Sequence, residues 1–141
     1  MSESVNIEGA KVLLVEDNVV NQVVATRLLT KIGCKVEIAE NGRIALEKIA
    51  QSKPVYDLVL MDCQMPNVDG YKATMSIRRF EEKQSLPRVT IVGLSAHALQ
   101  EYRQKALDAG MDDYLTKPVR SQDLQGLFEK LSLVSAKGEA K

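Results

Sequence analysis

The sequence has few cysteines, few aromatic residues and no excess of charge of either sign. Its two cysteines, Cys34 and Cys63, have no Cys-x-x-Cys or Cys/His spacing, which argues against a structural zinc site and a disulfide framework and favours a reducing compartment. Lys+Arg and Asp+Glu both total 19, so the chain has no overall field for a phosphate backbone or an anionic bilayer. We therefore predict no direct contact with nucleic acid or membrane.

Long hydrophobic runs are also absent. No run approaches the roughly 18 apolar residues of a membrane span, and the polar segment 1–10 lacks the apolar core of a signal peptide. We expect a cytoplasmic location. The 141 residues fit one domain, and with 45% hydrophobic residues but only 4% aromatic residues its core must be mainly aliphatic.

Short apolar runs alternate with segments of helical period, and this alternation occurs five times. The pattern is typical of a parallel sheet that helices cover on both faces, so it predicts an α/β fold of the (βα)5 type. The predicted strands are 11–17, 35–39, 57–62, 89–96 and 112–118.

The first helix has clear start and stop signals. Asn18 is predicted to cap its N-terminus and Gly33 to end it, while Val20, Val24 and Leu28 are predicted to form the face that packs on the sheet. The fourth helix has a smaller and weaker apolar face, so we expect it to be held less tightly. That face consists of Leu99, Tyr102, Ala106 and Ala109.

Polar residues stand where the predicted strands end. Glu16 and Asp17 follow the first strand, Asp62 the third, Ser95 the fourth and Lys117 the fifth. Because the carboxyl ends of parallel strands meet at one edge, these side chains should lie together. Converging carboxylates repel each other, and a Mg²⁺ ion with oxygen ligands is the ordinary remedy. The ion and the lysine would keep Asp62 ionised as a nucleophile, and the serine would donate to an incoming oxyanion, so the set suits phosphoryl transfer to a carboxylate.

Four motifs in order strengthen this interpretation: VEDN (15–18), LVLMDCQMPNVDG (58–70), LSAHA (94–98) and YLTKP (114–118). Together they resemble the receiver (response-regulator) domain of two-component phosphorelays, and most closely the receivers of hybrid histidine kinases. The resemblance covers residues 11–131 and leaves 1–10 and 132–141 as flexible segments. It implies a flavodoxin-like sheet with strand order 2-1-3-4-5.

The resemblance assigns roles to the acidic residues. Asp62 matches the phospho-accepting aspartate, Glu16 and Asp17 match the acid pair that organises Mg²⁺, and the backbone carbonyl of Gln64 matches the third protein ligand. Mn²⁺ is expected to substitute for Mg²⁺. Gln64 is also a candidate for tuning the hydrolysis of the phosphorylated form.

The remaining motif residues match the parts that respond to phosphorylation. Ser95 matches the switch hydroxyl, Tyr114 the switch aromatic, and Lys117 the lysine before a proline with a cis peptide bond. His97, two residues beyond Ser95, is a candidate for tuning hydrolysis, with a solvated loop imidazole as the alternative. For Tyr114 the alternative is simple packing at the sheet edge.

The function implied is acceptance of a phosphoryl group from a phosphohistidine, followed by a change in the face made by helix four, strand five and helix five. The donor would be a histidine kinase or a histidine phosphotransfer domain. The domain would catalyse only its own phosphorylation and dephosphorylation, as a monomer or weak dimer, alone or in the cytoplasmic part of a hybrid histidine kinase. The alternative is a phosphorylation-inert pseudo-receiver that acts as an interaction module.

Three other classes fit the residues less well. A haloacid-dehalogenase phosphatase needs a second aspartate two residues after its nucleophile, where this chain has Gln64. The P-loop motif is absent, and the acidic loop after the first strand would repel the phosphate of FMN. Several further acids are predicted to have ordinary roles: Asp69 as a helix cap, and Asp57, Asp112 and Asp113 as solvated charges.

Overall fold

Five strands and five helices alternate along the chain, as the sequence predicts. The computed structural model describes residues 9–51, 56–63, 70–96 and 100–140, with side chains described as far as residue 130. The elements are β1 (Lys11–Val15), α1 (Val19–Lys31), β2 (Lys35–Ala39), α2 (Gly42–Gln51), β3 (Leu58–Asp62), α3 (Gly70–Lys83), β4 (Ile91–Ser95), α4 (Gln100–Ala109), β5 (Asp113–Thr116) and α5 (Ser121–Ala140). Within these described ranges, no helix combines the length and the apolar composition that a membrane span requires.

The strands form one parallel sheet in the order β2-β1-β3-β4-β5, which confirms the flavodoxin-like order. Alternate residues of the central strands enter two apolar layers. On one face Leu13, Val59 and Met61 pack in a cluster with residues of α2, α3 and α4. On the other face Leu14 and Leu60 pack with residues of α1 and α5. Helices therefore cover both faces, and β3 is buried along its whole length.

The ends of α1 agree with their sequence signals. The Asn18 side chain accepts a hydrogen bond from the Asn21 backbone N–H at 3.0 Å. Gly33 has a φ of 102° and its N–H donates to the carbonyl of Thr30 at 3.0 Å. This left-handed conformation closes the helix and favours glycine because it carries no Cβ.

The predicted buried face of α1 is wrong. Val20 and Val24 are 69% and 53% exposed, whereas Leu29 is fully buried. The helix has apolar residues around most of its circumference, so periodicity alone does not decide which side meets the sheet. The side of α1 that carries Leu29 packs against the sheet, and Leu28 is partly buried at the margin of this contact. The side that carries the valines faces solvent.

At the other end of the chain, α5 runs to Ala140, whereas the sequence predicts that the helix ends near residue 131. The extension, SLVSAKGEA, contains no proline and includes several good helix formers, so the backbone has no strong stop signal there. The division of the chain into a domain and two flexible segments stays a prediction.

Of the acids predicted to be solvated charges at the N-terminal ends of the strands, Asp57 and Asp112 are exposed but paired, and only Asp113 is buried, so the prediction is wrong for Asp113. Asp112 accepts from Arg78 at 2.9 Å and from the Ile91 N–H at 2.9 Å, and the same arginine donates to Glu81 at 2.8 Å. Asp113 is buried and pairs with Lys130 at 2.8 Å. The arginine and the lysine come from α3 and α5, 34 residues away in sequence for Asp112 and 17 for Asp113.

Asp57 has a backbone partner as well. It accepts a hydrogen bond from the Lys11 N–H at 2.8 Å, and its own N–H donates to the Lys11 carbonyl at 2.8 Å. These two bonds join the starts of β1 and β3 at the edge of the sheet opposite the predicted phosphorylation site.

The Arg78 network predicts a large loss of stability when its centre is removed. Arg78→Met should lower the free energy of unfolding by about 3 kcal/mol, because it leaves the buried Glu81 carboxylate without its cation. Arg120→Met is the matched control, since the Arg120–Asp123 pair is exposed and should contribute almost nothing. Urea denaturation of the three proteins measures both effects. Equal stability of the two variants would contradict a stabilising role for the network.

Candidate functional site

Four charged side chains gather at the carboxyl edge of the sheet. Glu16, Asp17 and Asp62 each offer a carboxylate oxygen, and these oxygens lie within 4.8 Å of one another. Lys117 Nζ lies 3.2 Å from Asp62 Oδ1 and 3.5 Å from Glu16 Oε1. The structure thus brings together the acids and the lysine that the sequence predicted at this edge.

Parallel pairing of the strands produces this convergence. Val15 of β1 is in register with Met61 of β3, so the next residues, Glu16 and Asp62, leave the sheet side by side. Ser95 ends β4 in register with Thr116, and its carbonyl accepts a hydrogen bond from the Lys117 N–H at 2.7 Å. Lys117 therefore emerges at the same edge, and its peptide bond to Pro118 is cis, as the resemblance implied.

The loop after β1 holds Glu16 in place. Its Oε2 accepts from the Asn18 N–H at 3.1 Å, and its carbonyl accepts from the Gln22 side chain at 2.7 Å. Both partners belong to the start of α1, so the residue that caps this helix also orients the acid pair. The sequence predicted the capping role of Asn18 and did not predict its bond to Glu16.

Burial makes the two inner carboxylates electrostatically costly. Glu16 and Asp62 are each 2% exposed, whereas Asp17 faces solvent. Burial, together with the neighbouring Asp62 carboxylate, raises the pKa of Glu16 to about 7, although Lys117 and the Asn18 N–H act in the opposite direction. One ammonium is not enough for two buried carboxylates, so the site favours a bound proton or an added cation.

The donor set fits a hard divalent cation. Three carboxylates within reach of one point are the oxygen ligands that Mg²⁺ prefers, and the exposure of Asp17 leaves room for the waters that this ion retains. Glu16, Asp17 and Asp62 would hold the ion. The predicted backbone ligand, Gln64, lies outside the described residues, as do His97 and the predicted helix cap Asp69.

Ser95 and Tyr114 are both buried. Ser95 is completely inaccessible at the end of β4. Tyr114 is 6% exposed and packs in the cluster beneath α3 and α4. Their roles as switch residues stay a prediction.

Gly70, the first residue of α3, lies very close to the end of β3. A Cβ added there would sit 2.9 Å from the Cys63 Cα and would also collide with the Asp62 carbonyl. The absence of a side chain therefore lets α3 begin directly against the predicted phosphorylation site. The sequence marked Asp-Gly as a turn, but only the folded chain reveals this close approach.

Comparisons with known proteins agree with the geometry. The family model described as "Response regulator receiver domain" matches residues 12–129. Among curated proteins, the chain is 40% identical over 121 residues to hybrid signal transduction histidine kinase L of Dictyostelium discoideum. This match covers 85% of this chain and 7% of that protein. Across the similar kinases, the chain spans between 5% and 13% of their length.

Two solved structures are similar in fold and in sequence. One is the receiver domain of the sensor histidine kinase PA1611 from Pseudomonas aeruginosa, with a magnesium ion coordinated in the active-site cleft; the TM-score is 0.75, the identity 42%, and the match covers 86% of this chain and 96% of that one. The other is the Saccharomyces cerevisiae complex of the histidine phosphotransfer protein Ypd1 with the receiver domain of Ssk1; the TM-score is 0.76, the identity 35%, and the coverage 83% and 84%.

The raised pKa of Glu16 predicts an unusual pH dependence of the metal-free protein. Between about pH 4.5 and pH 7 the folded state keeps a proton that the unfolded chain releases, so the free energy of unfolding should fall as the pH rises. Glu16→Gln should remove this fall and raise the stability at pH 8 by about 1–3 kcal/mol. Urea denaturation in EDTA at pH 5 and pH 8 measures the effect.

Glu47→Gln is the control for this experiment, because Glu47 is an exposed glutamate on α2. It should leave the pH dependence unchanged. A Glu16→Gln variant that is less stable than the wild type at pH 8 in EDTA would contradict the electrostatic description of the site.

Proposed function

The chain belongs to the response regulator receiver domain family of two-component phosphorelays, and on this premise we propose that Asp62 accepts a phosphoryl group from a phosphohistidine. The observation that carries the proposal is the placement of Lys117 Nζ 3.2 Å from Asp62 Oδ1, beside three carboxylates whose oxygens lie within 4.8 Å. A phosphorylation-inert interaction module would not need this complete set of groups.

In the proposed reaction, an Asp62 carboxylate oxygen attacks the phosphorus atom of the phosphohistidine. The O–P bond forms as the N–P bond to the imidazole breaks, and the electron pair of that bond remains with the imidazole. Mg²⁺, when bound, supplies positive charge for the oxygens of the transferred group. Lys117 supplies a second positive charge, and the Ser95 hydroxyl donates to one of these oxygens.

The product is an aspartyl phosphate, a mixed anhydride that water can hydrolyse. We propose that the domain catalyses only this transfer and the hydrolysis of its product, in which water takes the phosphoryl group as inorganic phosphate and the Asp62 carboxylate is restored. Attraction of Ser95 and Lys117 towards the phosphoryl oxygens would favour the buried position of Tyr114 and alter the face of α4, β5 and α5. The small buried side chains of α4, Ala106 and Ala109, support the view that this helix shifts easily.

The exposed valine face of α1 is the surface that we propose for the phosphodonor. It consists of Val19, Val20, Val23 and Val24, which are between 44% and 69% exposed. The helix begins two residues after Asp17, so this face borders the phosphorylation site. A contiguous exposed apolar surface marks a site of interaction. The similarity to a receiver that was crystallised with Ypd1 supports a histidine phosphotransfer domain as the donor.

The wider setting is also a proposal. The similarity to hybrid histidine kinases supports a cytoplasmic domain that receives phosphoryl groups from a histidine kinase or a phosphotransfer domain. We propose that Mn²⁺ can substitute for Mg²⁺, because the site is made of carboxylates. We further propose that the domain is a monomer or weak dimer.

The phosphoacceptor is tested with acetyl phosphate and Mg²⁺. The wild type should gain one phosphoryl adduct that disappears on standing, and Asp62→Asn should gain none, because the amide oxygen is a poor nucleophile. Asp57→Asn is the matched control: it changes the aspartate that directly precedes the opposite end of the same strand, and this variant should be phosphorylated normally. Intact mass measured over time, with and without EDTA, gives the result. An adduct on Asp62→Asn would contradict the proposal.

The donor surface is tested by separating two routes to the same aspartate. Val20→Ser combined with Val24→Ser should lower kcat/KM for transfer from phosphorylated Ypd1 by roughly tenfold, because apolar contact area is lost. Phosphorylation by acetyl phosphate should not change. Met75→Ser, at an exposed apolar residue of α3, is the control and should behave as the wild type with both donors. An equal loss with both donors would argue against a docking role for the valines.

A further inference from the structure

A single carboxylate joins α4, β5 and α5, the three elements of the face that we propose to respond to phosphorylation. Asp113 is the first residue of β5 and is 7% exposed. Its Oδ1 lies 3.3 Å from the Arg103 guanidinium of α4, and its Oδ2 lies 2.8 Å from Lys130 Nζ of α5. A nearly inaccessible carboxylate depends on such partners, because it has lost most of the water that stabilises its charge.

The same carboxylate also holds the backbone of the next residue. Asp113 Oδ1 accepts a hydrogen bond from the Tyr114 N–H at 2.8 Å, and it is the oxygen to which Arg103 donates. Tyr114 is the predicted switch aromatic and follows Asp113 directly along β5. A displacement of the Tyr114 backbone would therefore also move the oxygen that holds α4.

The two flanking helices depend on this carboxylate to different degrees. α5 packs against the sheet through large buried apolar side chains: Leu124, Leu127 and Phe128. The buried side chains of α4, Ala106 and Ala109, are small and contribute less apolar area. Lys105 of α4 contacts the Tyr71 ring, so this second cation links the helix to α3 and not to β5. The ionic contact with Asp113 is therefore more important for the position of α4 than for that of α5.

We propose that Asp113 is a positioning residue of the response, whose carboxylate fixes α4 to the Tyr114 backbone and so transmits a movement of β5 to that helix. This inference rests on the proposed function, because it takes phosphorylation of Asp62 as the cause of the movement. The contact of Arg103 with Asp113 carries the coupling, and the Lys130 contact neutralises the carboxylate from the α5 side.

The test measures hydrogen exchange of the α4 backbone amides, without ligand and with beryllofluoride and Mg²⁺ as a stable substitute for the phosphoryl group. α2, which packs beside β1 and β2 at the other edge of the sheet, is the reference within each protein. Without ligand, Arg103→Gln should raise α4 exchange roughly threefold, the size expected for a partly exposed ion pair. The change that beryllofluoride causes in α4 should fall to less than half its wild-type size, while the change in α5 should remain.

Lys130→Gln is the matched control, because it removes one cation from the same carboxylate on the side of α5. It should leave α4 exchange, with and without ligand, close to that of the wild type. Asp113→Asn removes the charge and retains a side-chain oxygen for the Tyr114 N–H. It should raise α4 exchange at least as much as Arg103→Gln, and the double variant should show no further increase, because the two residues form one contact.

Two results would overturn the inference alone. One is an equal α4 exchange in ligand-free Arg103→Gln and Lys130→Gln, and the other is a wild-type response of α4 to beryllofluoride in Arg103→Gln. A wild type whose exchange does not change with beryllofluoride overturns the proposed function instead. The ligand-free comparison of the two variants then still decides whether Asp113 holds α4.

Discussion

The electrostatics of two buried carboxylates beside one ammonium determine what this domain can do. Glu16 and Asp62 are almost inaccessible, and Lys117 contacts both. Burial of like charges is unfavourable unless a proton or a cation compensates for it. The parallel pairing of β1 with β3 imposes the proximity, since the two acids follow residues in register. The apolar sheet therefore holds two carboxylates in a position where a bound cation or proton stabilises them.

The two faces of the sheet connect this site to different surfaces. α1 is capped by Asn18, whose N–H donates to the Glu16 carboxylate, and the valine side of the helix is exposed to solvent beside the site. On the opposite face, Tyr71 and Tyr114 lie in the cluster beneath α3 and α4. A phosphodonor at α1 and a response at α4 would therefore act on separate layers of the molecule. The carboxyl edge of the central strands is the region that both layers share.

Much of this arrangement could be predicted from the sequence. The alternation of apolar runs gave the five βα units, the motifs gave the strand order, and the polar residues at strand ends gave the acids and the lysine of the site. The orientation of α1 could not be predicted, because its apolar residues are on nearly every side. The partners of Asp112 and Asp113 could not be predicted either, because Arg78 and Lys130 meet them only through tertiary packing. The close approach of Gly70 to β3 depends on backbone positions that composition does not encode.

The contacts of α3 have a mechanical consequence. Its first residue is packed against the backbone of Asp62 and Cys63, and Arg78 ties its last turns to Gly110, Val89 and Asp112. A helix anchored at both ends has few degrees of freedom, so a strain that arises at Asp62 cannot relax by displacing it. The compliant neighbour is α4, which meets the core mainly through alanines. We expect α3 to act as a fixed support. A displacement that starts at Asp62 would then pass to α4 and leave α3 in place.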